Sequence, residues 1–359
     1  MPWHHSSPVQ VLAGRGAFQQ LGKQLGRGAW LLVTTQGAIR RGWAAQIQAQ
    51  LDASHTLLVC DDISSNPELD HLDGLTQRYR GLGLQGLIAL GGGSALDAAK
   101  VLSVTLPSPL EMPLGDRLRA GGVQPWAHHL PVVAVPTTSG TGAEATPFAT
   151  VWDRAAHKKH SVHGPLIYPA LALLDPYLTL SLPTQETLHT GLDATSHALE
   201  SIWNKNSTPV SAALAWQALA LIAEAFPFVL HDPDNLDARE AMQQASLLAG
   251  MAIAQTRTAI AHSISYPITS HHGVPHGLAC SFTLPHLIRV NMKSFAAAHR
   301  QVAANILTLL DSLRLDSELR KYTQEDLLLL QNEMHTPERA GNYTGETDIE
   351  RIIRASTPC

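Results

Sequence analysis

Two textures divide the chain. Residues 30–35 (WLLVTT), 55–62 (HTLLVCDD), 86–93 (GLIALGGG), 131–142 (PVVAVPTTSGTG) and 171–176 (LALLDP) are nearly unbroken apolar runs that end in glycine or small polar residues. Such runs predict strands buried on both faces of a sheet. Residues 38–51, 69–83 and 94–102 between them carry helical patterns. Strand–helix alternation of this kind predicts a parallel sheet covered by helices, an α/β fold. From about residue 182 the period changes. Apolar residues recur at helical spacing through 212–230, 239–253 and 296–313, and few strand-like runs remain. The expected division is an α/β domain over residues 1–182 and an all-helical domain over 183–359. No internal repeat or low-complexity segment interrupts either half.

Composition narrows the class of protein. With 359 residues, 45% hydrophobic and 15% charged, the chain is long enough for two packed cores and too apolar for disorder. A net charge of −5 without a basic block argues against nucleic acid as partner. The longest apolar stretch, around residues 212–230, is broken by Gln217, Glu224 and Pro227, and no run is expected to cross a membrane. The N-terminus lacks the charged and apolar segments of a signal peptide. Three unclustered cysteines, Cys60, Cys280 and Cys359, fit a reducing cytoplasm.

Two loops carry the first candidate chemistry. GGGSALDAAK (91–100) follows a strand and opens a helix. Glycines there let a ligand approach the backbone, and free N–H groups at a helix N-terminus favour phosphate. Asp97 lies in the first helical turn, where it favours the macrodipole or bonds a ligand hydroxyl. TTSGTG (137–142) follows another strand. Paired loops at the carboxyl ends of parallel strands are where open α/β sheets bind ligands.

Histidines carry the second. In GLDATSHALE (191–200), Asp193 and His197 are four apart and share one helix face. In AIAHSISYPITSHHGVPHG (259–277), His262 lies on a helical run, and His276 follows the breakers Gly273 and Pro275, which let the chain fold back. One carboxylate and three imidazoles make a four-ligand set suited to Fe2+, Zn2+ or a similar ion. His271 and His272 stand nearby as pocket candidates or plain loop histidines.

These pieces, with VPTTSGTGAEAT, LLDPYLTLSLP and VPHGLA, resemble the iron-containing, group III alcohol dehydrogenases. They occur in that family's order from about residue 30 to 290. The resemblance implies an N-terminal Rossmann-like domain with a parallel sheet and an all-helical C-terminal domain, an architecture shared with dehydroquinate synthase. It also implies a cleft holding metal and nicotinamide, and a homodimer acting on a small alcohol or aldehyde. By motif position, Asp193, His197, His262 and His276 correspond to metal ligands. Gly92, Gly93, Ser94, Asp97, Thr137, Thr138, Thr141 and Lys159 correspond to cofactor contacts. The metal implied is Fe2+, with Zn2+ the alternative, and the cofactor NAD or NADP.

Three departures bear on specificity. Thr35 stands where NAD-preferring relatives often carry an aspartate, so NADP becomes admissible. Tyr266 replaces a further histidine and is a candidate to line the pocket or relay a proton; with His272 it joins the catalytic candidates. Arg257, five residues before His262, is a candidate to bind an anionic substrate group, provided both lie on one helix. The segment around Arg257 resembles the branch that reduces phosphonoacetaldehyde. A 3-deoxy-octulosonate 8-oxidase, with an anionic sugar substrate, is the alternative. A dehydroquinate-synthase-type lyase would use a glutamate ligand and a more basic pocket, and a dead binding protein would have lost a ligand; neither matches the residues present.

Overall fold

The computed structural model describes residues 2–109, 112–121, 126–156, 158–313, 315 and 319–357. By packing, the chain forms two compact units. One comprises Ser7–Thr138 and Ala143–Thr179. The other comprises Leu180–Cys359 together with Met1–Ser6 and Ser139–Gly142, two short segments that precede residue 183.

The first unit is built on β1 (Gln10–Ala13), β2 (Gly28–Val33), β3 (His55–Cys60), β4 (Leu84–Gly91), β5 (Val132–Pro136) and β8 (Leu171–Leu174). They form one parallel sheet in the order β1-β8-β5-β4-β2-β3. Two more strands, β6 (Phe148–Asp153) and β7 (Lys158–His163), pair antiparallel as a separate hairpin. Alternate residues of each central strand enter opposite cores, because side chains alternate across a strand. Leu31, Val33, Leu87, Ala89, Val132 and Ala134 pack on one face, with helices α1 (Leu69–Tyr79) and α2 (Gly93–Thr105). Trp30, Leu32, Ile88, Leu90, Val133 and Leu173 pack on the other, against Phe18, Leu21 and Ile47. Burial on both faces explains why the strands read as continuous apolar runs. The helix expected over 38–51 is two short pieces, Gln36–Arg40 and Trp43–Gln48, separated by Gly42 at φ 74.

The second unit is helical. Its centre is α3 (Thr184–Ile202), α4 (Pro209–His231) and α5 (Leu236–Thr256), followed by α6 (Ile260–His272), α7 (His276–Ala279), α8 (Ala297–Ser312) and the short α9 (Pro337–Ala340). Leu192, Leu199, Leu219, Phe226, Ala252 and Ile264 belong to one apolar core. By length and composition alone α4 is long and apolar enough to cross a membrane. Gln217, Glu224 and Pro227 do not interrupt it. Its apolar face is occupied within the protein, where Ala215, Leu219, Ile222, Phe226 and Val229 are buried. Thr208 caps α4, accepting the Ser211 N–H while Ser211 Oγ accepts the Thr208 N–H, and Pro209 takes the first helical position.

Candidate metal centre

The helical unit brings three of the expected histidines around the carboxylate of the fourth expected residue, Asp193. Asp193 and His197 lie one turn apart on α3, and His197 Nε2 is 3.5 Å from Asp193 Oδ1. From α6, His262 Nε2 stands 3.4 Å from the same oxygen, and from α7, His276 Nε2 stands 3.8 Å away. Gly273 (φ 66) terminates α6 in the left-handed conformation, and Pro275 starts α7, which returns His276 beside His262. The return is close. A β-carbon on Gly277 would stand 1.8 Å from the His189 carbonyl oxygen of α3, so only glycine admits the contact. The His197 and His262 rings stack at 4.9 Å, and His276 meets His262 edge-on at 5.2 Å.

Glu200, one turn beyond His197, supplies a part the sequence reading did not assign. It is fully buried. Its Oε2 accepts from His262 Nδ1 at 2.5 Å, and its Oε1 accepts the N–H groups of Ala261 at 2.7 Å and His262 at 3.2 Å. This places a proton on Nδ1 and turns Nε2, the nitrogen left for a metal, toward Asp193. His262 Nε2 is buried without a hydrogen-bond partner. A buried nitrogen left unpaired among a carboxylate and two more imidazoles fits a divalent cation.

The charges are tightly coupled. Burial acts to raise Asp193, but His197, His262 and His276 hold it well below the usual carboxylate range. Burial acts to lower His262, yet Glu200 and Asp193 outweigh it and push it up to about 10. Burial pushes His197 down against the pull of Asp193.

Cys280 also joins the cluster, unassigned by the sequence reading. Donor atoms of Asp193, His262, His276 and Cys280 lie within 4.8 Å of one another. His197 lies outside that compact set although it touches Asp193. The thiol donates to the Gly277 carbonyl at 3.3 Å and stands 3.7 Å from Asp193 Oδ1. Burial raises it well above the ordinary thiol range.

The catalytic candidates separate. Tyr266 stands beside the cluster, its ring parallel to His276 at 5.7 Å and edge-on to His262 at 6.3 Å. His272, at the end of α6, instead stacks on Tyr322 at 4.1 Å, and His271 bonds Glu333 at 2.9 Å. Arg257 does not share a helix with His262. The chain leaves helical geometry between Thr256 and Ile260, and Arg257 caps α5 at φ 63 with its side chain exposed. Asn204 Nδ2 and Thr256 Oγ1 hold its carbonyl.

The loop of residues 91–94 meets Thr137 and Thr138 within the first unit. Gly91 (φ 153) ends β4, and its carbonyl accepts the Thr137 N–H at 2.9 Å. Gly92 caps α2 in extended geometry; a β-carbon there would stand 3.2 Å from Thr138 Cγ2. Gly93 opens α2, and Ser94 Oγ accepts the Asn66 N–H at 3.2 Å. Asp97 is half-buried and held within the protein. It accepts the Thr150 N–H at 2.8 Å and lies 3.8 Å from Lys100, which is buried and also donates to Thr146 and Phe148. Lys159, on β7, stands 5.7 Å over the Trp152 ring. Thr141 falls in the segment Ser139–Gly142, which packs with the helical unit.

Comparison with known proteins agrees in both halves. Residues 8–176 match the sequence family described as iron-containing alcohol dehydrogenase, and residues 187–352 match the C-terminal region of the Fe-containing alcohol dehydrogenase family. A phosphonoacetaldehyde reductase of Streptomyces viridochromogenes is 39% identical over 265 residues, 72% of this chain and 66% of that protein. A sulfoacetaldehyde reductase of Bilophila wadsworthia is 31% identical over 297 residues, 81% of this chain and 75% of that protein. Among solved structures, sulfoacetaldehyde reductase from Bifidobacterium kashiwanohense in complex with NAD+ superposes with a TM-score of 0.89 at 28% identity, covering 99% of this chain and 97% of that one.

Proposed function

The chain belongs to the iron-containing alcohol dehydrogenase family, and from that premise we propose that it reduces a small anionic aldehyde with a nicotinamide cofactor. Phosphonoacetaldehyde leads the candidates and sulfoacetaldehyde follows. The observation that carries the reading is the buried Asp193 oxygen faced by His197, His262 and His276, with Glu200 fixing the tautomer of His262. A divalent cation, Fe2+ or alternatively Zn2+, would be held by those four residues and would supply Lewis acidity at the carbonyl or alcohol oxygen, while NAD or NADP would carry the hydride.

The protein's own contribution is preparation. Neutral imidazoles and one carboxylate give a site of net positive charge once a divalent ion is bound, which favours an oxygen that gains negative charge. Tyr266, stacked on His276, would wall the substrate position and offer a hydroxyl for the proton that balances hydride delivery. Gly92, Gly93, Ser94, Thr137, Thr138 and Thr141 would provide N–H and hydroxyl groups for the dinucleotide, with Lys159 as a cationic contact. The identities of the named relatives support this reading through their substrates, two-carbon aldehydes bearing a phosphonate or sulfonate.

The test is to reconstitute metal-free protein with Fe2+ under anaerobic conditions and follow NADH and NADPH oxidation. The panel is phosphonoacetaldehyde, sulfoacetaldehyde, acetaldehyde and propanal. The expected result is metal-dependent turnover with higher kcat/KM on the anionic pair. Equal efficiency on charged and neutral aldehydes would refute the anionic substrate, and no turnover on any of them would refute the activity.

A further inference from the structure

Arg339, on α9, places its guanidinium carbon 4.3 Å from the centre of the Tyr266 ring. Tyr266 in turn lies parallel to His276, interplanar angle 7°, at 5.7 Å. A permanent cation therefore stands one aromatic ring away from a metal-facing imidazole. The sequence offered no signal for it, because Arg339 lies far along the chain in a region without a recognisable motif.

The position is held on both sides. Ser263, the residue after His262, donates to the Met334 carbonyl at 2.5 Å and accepts the Thr336 N–H at 3.1 Å. Asn342 Nδ2 donates to the Thr258 carbonyl at 2.9 Å and to the Glu338 carbonyl at 2.8 Å. These ties bracket α9 and fix it to the first turn of α6 at Ser263 and to the segment before it at Thr258. Arg339 is half-buried, and among the described residues no carboxylate pairs with it. The nearby Glu333 is committed to His271. A cation that is partly withdrawn from water, stacked and fixed but left without an anion has its donors free for one.

We propose that Arg339 is the specificity-determining residue that binds the tetrahedral anionic group, phosphonate or sulfonate, of the substrate. The inference rests on the reading of the site as an aldehyde reductase, and it names the group that selects the substrate. A two-carbon aldehyde carries its carbonyl oxygen and its oxyanion at opposite ends, and Arg339 and His276 both lie against the one Tyr266 ring. Guanidinium N–H groups match the oxygens of such an anion in pairs. Arg257, the arginine the sequence favoured, is exposed and off the helix of His262.

The experiment titrates the metal-loaded, NAD-bound protein calorimetrically with ethylphosphonate, an unreactive anion of the same shape. Wild type, Arg339→Met, Arg339→Lys and Arg257→Met are compared, together with the ratio of kcat/KM for phosphonoacetaldehyde over propanal. Arg339→Met should weaken ethylphosphonate by about 10- to 100-fold and lower the selectivity ratio by a similar factor. Arg339→Lys should recover part of both, since the charge remains while the paired geometry is lost. Ethylphosphonate that fails to bind wild type, affinity unchanged in Arg339→Met, or a loss confined to Arg257→Met overturns the inference. If wild type reduces no aldehyde, the proposed activity falls, while the ethylphosphonate titration still decides the role of Arg339.

Discussion

Glu200 decides which nitrogen of His262 faces the candidate metal position. Its two oxygens accept three donors from the start of α6, so it both anchors that helix and holds the imidazole in one tautomer. Glu200→Gln keeps the size but loses the negative charge, and it turns one carboxylate oxygen into an amide donor. Metal affinity should fall by about 10- to 100-fold, measured by competition with a chromogenic chelator. Affinity equal to wild type would mean that Glu200 only anchors α6. A second comparison separates His197 from Cys280, which compete for the fourth donor position. The thiol is engaged with the Gly277 carbonyl, whereas a neutral imidazole can bind a cation without surrendering a proton. His197→Ala should lose bound metal, and Cys280→Ser should retain about one ion per chain by elemental analysis; the reverse pattern would exchange their roles. At this scale the sequence disclosed Asp193, His197, His262 and His276 because carboxylate and imidazole at helical spacing are conspicuous. Glu200, although three residues beyond His197, reads as an ordinary solvated helix charge, and Cys280 as a small core residue. Neither becomes legible until α6 and α7 lie against α3.

Elements were legible where one force dominates. The buried parallel strands are apolar throughout, so periodicity sufficed. The hairpin of β6 and β7 was missed: β6 alternates in burial, but β7 carries Lys158, Lys159, His160 and His163 and presents no apolar run. The break between α5 and α6 was missed too. Thr256, Arg257 and Thr258 are neither proline nor glycine, and it is the carbonyl contacts from Asn204 and Asn342 that hold the chain out of the helix. Glu144, in the turn before β6, shows a cost of this packing. Burial raises its carboxyl to about 6 from an ordinary 4.5. A raised carboxyl favours the protonated native state, so its contribution to stability is present below pH 4.5 and lost as pH climbs through 6. Glu144→Gln should therefore stabilise the protein by about 2 kcal/mol at pH 7 and by little at pH 4.5. Urea denaturation at both pH values checks this; a gain of equal size at both would locate the effect in packing instead of charge.

For the whole molecule, strand–helix alternation followed by helices disclosed the fold class, and the parallel sheet and helical half follow it. Edge strand β1 escaped notice because only four residues pair and most are exposed. The same scale bears on cofactor choice. Thr35 removes an acidic side chain from the end of β2, which led the sequence reading to admit NADP. The fold returns two carboxylates to that place from the end of β3: Asp62 forms a backbone bridge with Thr35, and Asp61 accepts from Gln36 Nε2 at 2.8 Å. Burial acts to raise Asp62, but donation from Cys60 and His71 holds it below its ordinary value, so it is ionised at neutral pH. With a net charge of −5 on the chain behind them, these groups oppose a 2′-phosphate without closing the space to it. NADPH should then be used, at a kcat/KM about 10- to 100-fold below that of NADH. Asp62→Asn should narrow the gap, and so should raising the salt concentration, because exposed charges are screened within about 10 Å at 0.1 M ionic strength. Steady-state rates with both cofactors, at low and high salt, decide it. A gap that ignores both the substitution and the salt would assign cofactor choice to the shape of the loop at Thr35 and not to charge.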